Sequence, residues 1–135
     1  MMVSTRGRYA LRVMVDLAEH GDGGFIAMKE VAERQGVSLK YLERILPPLV
    51  EEKLIEGMRG KGGGYRLTRE PDEYTLGEIL RVTEGDLAPV ACLECGAAPC
   101  SRASDCRTLP MWKELDAVIA QYLESKTLAD LVKKA

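Results

Sequence analysis

Aromatic side chains are scarce in this chain: its 135 residues include one Phe, one Trp and five Tyr. Its core therefore has to be built mainly from aliphatic residues. No apolar run approaches the ~18 residues of a membrane span, and no long apolar stretch follows Arg6 and Arg8. Neither a membrane partner nor a signal peptide is expected. The single histidine, His20, follows a helical stretch and reads as a solvated helix-end cation rather than a ligand. Cysteine is confined to one short window holding Cys92, Cys95, Cys100 and Cys106. With no secretory signal the expected compartment is the reducing cytoplasm, which favours metal binding or redox chemistry over a disulfide framework.

The formal net charge is −2, with 30% charged residues, ordinary for one globular domain. The charge is unevenly spread. Residues 1–70 carry 12 Lys and Arg against 10 Asp and Glu, whereas residues 71–135 carry 7 against 11. The location of the basic residues therefore says more than their number.

Tyr9, Ala10, Val13, Met14, Leu17 and Ala18 recur at helical spacing, predicting a helix over 5–19. The run His20-Gly21-Asp22-Gly23-Gly24 ends it, and Phe25-Ile26-Ala27 reads as extended. A second helix is expected over 28–35. Gly36-Val37-Ser38 then supplies a C′ glycine, a core plug and an N-cap for a third helix. Helix, short glycine turn and helix together make a helix-turn-helix. The third helix, about 38–45, is expected to present Lys40, Tyr41, Glu43 and Arg44 outward, leaving Leu39, Leu42, Ile45 and Leu46 for burial. Pro47 and Pro48 predict a fresh helix over 47–53, because proline is tolerated in a first turn.

Residues 54–59 and 65–67 read as strands flanking Gly60-Lys61-Gly62-Gly63-Gly64, a hairpin wing. Thr75-Leu76-Gly77-Glu78 is a capping-box pattern opening a helix to about residue 83. Residues 84–108 show no period and form a loop too long to be idle. Beyond it, Leu109, Trp112, Leu115, Ile119, Tyr122 and Leu123 make an apolar stripe, and Thr127 caps a last short helix. The expected fold is mainly α with a small β-hairpin wing. It divides into a winged helix-turn-helix region (1–83), a cysteine-bearing loop (84–108), and a long dimerisation helix with a short C-terminal helix (109–135).

A short helix bearing Lys40, Tyr41, Glu43 and Arg44 suits the major groove, where Arg pairs with guanine and a carboxylate accepts from cytosine N4. Arg59, Lys61 and Arg66 surround nearly bare backbone at Gly62, Gly63 and Gly64, and such a cationic tip suits a narrow minor groove. The cysteines are spaced Cys92-x2-Cys95-x4-Cys100-x5-Cys106. Four soft thiolates hold either zinc or an iron–sulfur cluster, and the spacing does not choose between them.

Three segments carry a resemblance: Ser4-Thr5-Arg6-Gly7-Arg8-Tyr9-Ala10-Leu11, Glu33-Arg34-Gln35-Gly36-Val37-Ser38-Leu39-Lys40-Tyr41-Leu42-Glu43, and Arg59-Gly60-Lys61-Gly62-Gly63-Gly64-Tyr65. They resemble the IscR/NsrR/CymR family, bacterial dimeric winged-helix transcription regulators of which several sense through an iron–sulfur cluster. The resemblance implies that side chains of Ser38–Arg44 read an operator, that Arg59 enters the minor groove, and that Glu43 gates operator choice. It also implies a cluster (2Fe–2S or 4Fe–4S) on Cys92, Cys100 and Cys106, with Cys95 as candidate fourth ligand. Leu109 stands where IscR-like members place a histidine, and Arg8 where NsrR-like members can use an acidic residue.

The expectation is a homodimeric regulator, a repressor, binding double-stranded DNA at a palindromic operator under control of that cluster. Trp112, Leu115, Ile119 and Tyr122 would form the dimer interface. Two alternatives are the same regulator without a cluster, sensing through thiol oxidation, zinc or a partner protein, and a small thiol redox protein or electron carrier. The latter lacks a βαβ pattern around Cys92 and Cys95, and no enzyme constellation accompanies them.

Overall fold

The computed structural model describes residues 3–94 and 96–132. Five α-helices and one hairpin follow in order: α1 (Thr5–His20), α2 (Met28–Gln35), α3 (Leu39–Glu51), β1 (Ile55–Met58), β2 (Gly64–Leu67), α4 (Leu76–Glu84) and α5 (Leu109–Ser125). Single 3-10 turns lie at Pro71–Glu73, Ala91–Leu93 and Leu128–Asp130. Helix-turn-helix followed directly by a hairpin makes this a winged-helix fold.

The turn between α2 and α3 follows the residues that specify it. Gly36 adopts φ +67°, which L side chains rarely take. The Val37 N–H donates to the Ala32 carbonyl at 3.1 Å, closing a Schellman-type cap, and Val37 packs against the core. The Ser38 hydroxyl then accepts from the Tyr41 N–H at 3.1 Å and starts α3.

α3 does not break at Pro47 and Pro48. It runs unbroken to Glu51, correcting the expected second helix. The two prolines remove the bonds that would reach the carbonyls of Glu43 and Arg44. Both of those residues are exposed, so water can take the orphaned carbonyls. Leu42, Ile45, Leu46 and Leu49 are buried on either side of the prolines and hold the helix against the core.

β1 and β2 pair antiparallel, with Ile55 opposite Leu67 and Met58 opposite Gly64. The segment before α2 adds a bridge. Ile26 and Tyr65 exchange two backbone hydrogen bonds of 2.9 Å, tying the wing to the helix-turn-helix.

The core is aliphatic, drawn from Val13, Met14, Leu17, Val31, Leu42, Ile45, Leu49, Leu54, Ile55 and Ile79, with one fully buried aromatic, Tyr74. The Tyr74 hydroxyl donates to the Leu54 carbonyl (2.7 Å) and accepts from the N–H groups of Thr68 (3.0 Å) and Arg69 (3.1 Å). It thereby fastens the wing's return strand to its start. Asp16 is the buried charge. Arg34 donates to both of its oxygens at 2.7–3.2 Å and Gln35 Nε2 to one at 2.9 Å, clamping α1 to the end of α2. That Asp16 partnership, by hydrogen bond and then by charge, raises the Arg34 pKa against the opposing effect of burial.

Thr75 caps α4 through the Glu78 N–H (3.1 Å), but the Glu78 carboxylate pairs with Arg69 at 2.9 Å. The full capping box falls instead at Thr127 and Asp130. Just there the chain returns to the core: Leu76 N–H donates to Lys126, Leu128 N–H to Tyr74, and Leu128 is fully buried.

Candidate nucleic-acid interface and cysteine loop

The exposed face of α3 carries Lys40, Glu43 and Arg44, with Ser38 exposed at its N-cap. Two neighbours differ from the expectation. Leu39 is exposed rather than buried. Tyr41 is half-buried, because its ring meets Tyr9 of α1 edge-on at 5.7 Å between centroids.

The wing tip presents Arg59 and Lys61, both exposed. Gly63 N–H donates to the Gly60 carbonyl at 3.0 Å, and Gly60 and Gly62 take φ of +98° and +79° with open space where a side chain would lie. Gly63 and Gly64 are bare for an internal reason. A Cβ on Gly63 would run into the Met58 carbonyl, and one on Gly64 into that of Ile26. Arg66 is not gathered with the tip cations. Its guanidinium donates to Glu56 (2.6 Å) and to the Gly23 carbonyl (3.2 Å), and lies 4.3 Å from the Phe25 ring centroid. It braces the base of the wing.

Among its described residues the cysteine loop is held by local turns and by one buried side chain, Leu87. Cys92 lies exposed in the 3-10 turn Ala91–Leu93, Cys100 is exposed, and Cys106 is partly covered. Cys95 lies outside the described residues. The Cys106 sulfur sits 3.5 Å from the Thr108 hydroxyl at the start of α5. That hydroxyl, followed by the N–H groups of Thr108 and Leu109, lowers the Cys106 pKa by hydrogen bonding to the thiolate. The donor chemistry suits an iron–sulfur cluster or zinc. Among the described residues, however, no three His, Cys, Asp or Glu side chains converge on a common point. His20 stays at the end of α1, its Nδ1 3.1 Å from the Asp16 carbonyl oxygen.

α5 contains no buried residue. Met111, Leu115, Val118 and Tyr122 are 45, 39, 61 and 59% exposed. Their steps of four, three and four follow a helix-pairing seam. Trp112 and Ile119, expected on that seam, are half-buried about a quarter turn away. With Val3, Leu80, Val118, Tyr122 and Leu123, Ile119 lines an apolar cleft against α4. Both rows, Met111-Leu115-Val118-Tyr122 and Trp112-Leu115-Ile119-Tyr122, fit the 3.5-residue period, and only exposure separates Val118 from Ile119.

Among the described residues no helix is long and apolar enough to cross a membrane. A family of transcriptional regulators, Rrf2, described as iron-dependent, matches residues 3–134. The regulator IscR of Sodalis glossinidius is 35% identical over 132 residues, which are 98% of this chain and 79% of that protein. The structure of CymR, the global cysteine regulator of B. subtilis, superposes with TM-score 0.79 at 34% identity, covering 97% of this chain and 95% of that one. That of T. potens IscR gives TM-score 0.73 at 35% identity, covering 97% and 85%. These relatives are named as regulators, not as enzymes. Match and fold agree over nearly the whole chain: it belongs to the Rrf2 family of transcriptional regulators.

Proposed function

We propose that the chain works in the cytoplasm as a homodimeric repressor that binds a palindromic DNA operator through α3 and the wing, under control of its cysteine loop. The observation that carries this reading is the pairing of a Ser38-capped helix exposing Lys40, Glu43 and Arg44 with a wing tip exposing Arg59 and Lys61. Arg44 and Glu43 would read base edges, and Lys40, Lys61 and Arg59 would meet phosphate or the minor groove. Gly62, Gly63 and Gly64 keep the tip thin enough to approach the duplex. Tyr41 and Arg66 act from behind, holding the helix and the wing. In a two-fold dimer joined along α5, the two copies of α3 would sit about 34 Å apart, one turn of DNA. The exposed stripe of Met111, Leu115, Val118 and Tyr122 supports that pairing.

The cysteine loop joins α4 to α5, between the DNA-reading half and the pairing helix. Cys92, Cys95, Cys100 and Cys106 are the residues proposed to hold an iron–sulfur cluster, which when bound supplies redox and iron sensitivity. Its support is the thiolate donor set and the likeness to proteins named IscR. Gathering those thiolates requires the loop to rearrange, and the loop's few core contacts allow it. A second reading, sensing by the thiols alone, draws on the hydrogen-bonded thiolate of Cys106 and the likeness to CymR.

The test is selection of a duplex from a random library, followed by titration at fixed salt. A selected palindrome bound by two copies supports the reading. Binding indifferent to sequence, or unaffected by Glu43→Ala and Arg59→Ala, would overturn it.

A further inference from the structure

α1 begins Ser4-Thr5-Arg6-Gly7. In a capping box, a Glu or Gln at the third helical position reaches back to the N–H of the serine cap. Here that position is Gly7, and the first turn holds no acidic residue. It does hold Arg6, a cation at the positive end of the helix dipole.

The missing carboxylate comes from another helix. Glu84, the last residue of α4, accepts from the Ser4 N–H at 3.2 Å and from the Ser4 hydroxyl at 2.5 Å. The same hydroxyl accepts from the Gly7 N–H at 3.2 Å. A Cβ on Gly7 would run into the Glu84 carboxylate, so the bare backbone is what admits it. The cap of α1 is thus completed across 80 residues of sequence.

Besides the Asp16 clamp, α1 braces the helix-turn-helix at two further points. Arg12 donates to the Gln35 side chain (2.7 Å) and carbonyl (3.5 Å) at the end of α2. Its guanidinium lies 4.9 Å from the Tyr9 ring centroid, and Tyr9 in turn meets Tyr41 of α3. At the other end, Gly85 takes φ +79° directly after Glu84 and opens the segment that leads to Cys92.

We propose that Glu84 is a positioning residue for the recognition helix. By completing the cap of α1 it fixes Tyr9 and therefore Tyr41, and it carries a rearrangement of the cysteine loop to the DNA-reading face. This rests on the DNA-binding reading above and adds the route by which that site is regulated.

The test combines backbone hydrogen exchange on the full chain with titration of a library-selected duplex. Glu84→Ala and Gly7→Ala should each speed exchange in residues 41–46 and weaken duplex binding by about five- to tenfold, within the usual range for coupled sites. Alanine is the better helix former, so a loss at Gly7→Ala does not arise from helix propensity. The double variant should be no worse than the poorer single one, because both remove one contact. Glu84→Gln keeps an acceptor for Ser4 and should fall between Glu84→Ala and the wild type. Blocking the loop thiols with N-ethylmaleimide should alter exchange in residues 41–46 of the wild type and leave Glu84→Ala unchanged.

Faster exchange confined to residues 5–8, with duplex affinity intact, would reduce Glu84 to a local cap and overturn the proposal. A maleimide response that survives in Glu84→Ala, or none in the wild type, would overturn it as well. If the wild type selects no duplex, the DNA-binding reading fails, and the exchange data alone decide for or against Glu84.

Discussion

The winged-helix body and the segment from Gly85 to Ser125 are built on opposite principles. The body holds the buried core, a satisfied buried carboxylate at Asp16 and a fully hydrogen-bonded Tyr74. Among its described residues the later segment buries one, Leu87, and its long helix buries none. A chain that leaves four large apolar side chains of one helix open to water has not finished burying itself. The body closes its own core, whereas the cysteine loop and α5 carry the exposed thiols and the exposed apolar stripe on which the proposed control and the proposed pairing rest.

The largest break should come in the body. Tyr74→Ala removes a buried ring, takes the acceptor from the Thr68 and Arg69 N–H groups and leaves the Leu54 carbonyl with only its longer bond from the Thr68 hydroxyl, and should cost about 4 kcal/mol. Urea unfolding reads this directly, and a cost below about 1 kcal/mol would show that the core does not depend on Tyr74. In α5 the opposite pattern is expected. Val118→Asp should shift monomer stability by less than about 0.5 kcal/mol, yet shift the sedimentation coefficient to that of a monomer and weaken operator binding on the order of 100-fold. A stable dimer in that variant would move the pairing seam elsewhere.

Within the DNA face the effects should be smaller. Arg59→Ala should weaken all duplexes by about 1 kcal/mol and reduce the slope of log affinity against log salt by about 1. Arg66→Ala should leave that slope unchanged, because its guanidinium is spent on Glu56 and Phe25.

The smallest effect concerns Cys106. Its lowered pKa means that thiolate, the reactive form, appears at a lower pH than the ~8.5 of an ordinary thiol. Alkylation of the Cys106 peptide by iodoacetamide, followed by mass spectrometry, should therefore reach its plateau at lower pH. Thr108→Val should shift that profile upward, and an unchanged profile would remove Thr108 as the cause.

The sequence made the helix-turn-helix legible because Gly36, Val37 and Ser38 each specify one local feature. The wing was equally plain from its glycines. What remained hidden depends on contacts between distant residues. Pro47 and Pro48 look like a break until the burial of Ile45, Leu46 and Leu49 is seen. Arg66 looks like a wing-tip cation until Glu56 and Phe25 are found beside it. Gly7 reads as a neutral residue in a helix, and only Glu84 explains it. On α5, steps of three and four admit either Val118 or Ile119, and only the greater exposure of Val118 in the folded chain tells them apart.

Cluster control of DNA binding can be decided on one anaerobically purified sample. Iron, acid-labile sulfide and zinc are counted, and the same sample is titrated against the selected duplex before and after the metal is removed by a chelator. Iron with matching sulfide is expected, lost in Cys100→Ala and Cys106→Ala, with an operator affinity that changes by about tenfold or more on removal. Protein that carries zinc or no metal, and binds the duplex equally well before and after chelation, would contradict cluster control.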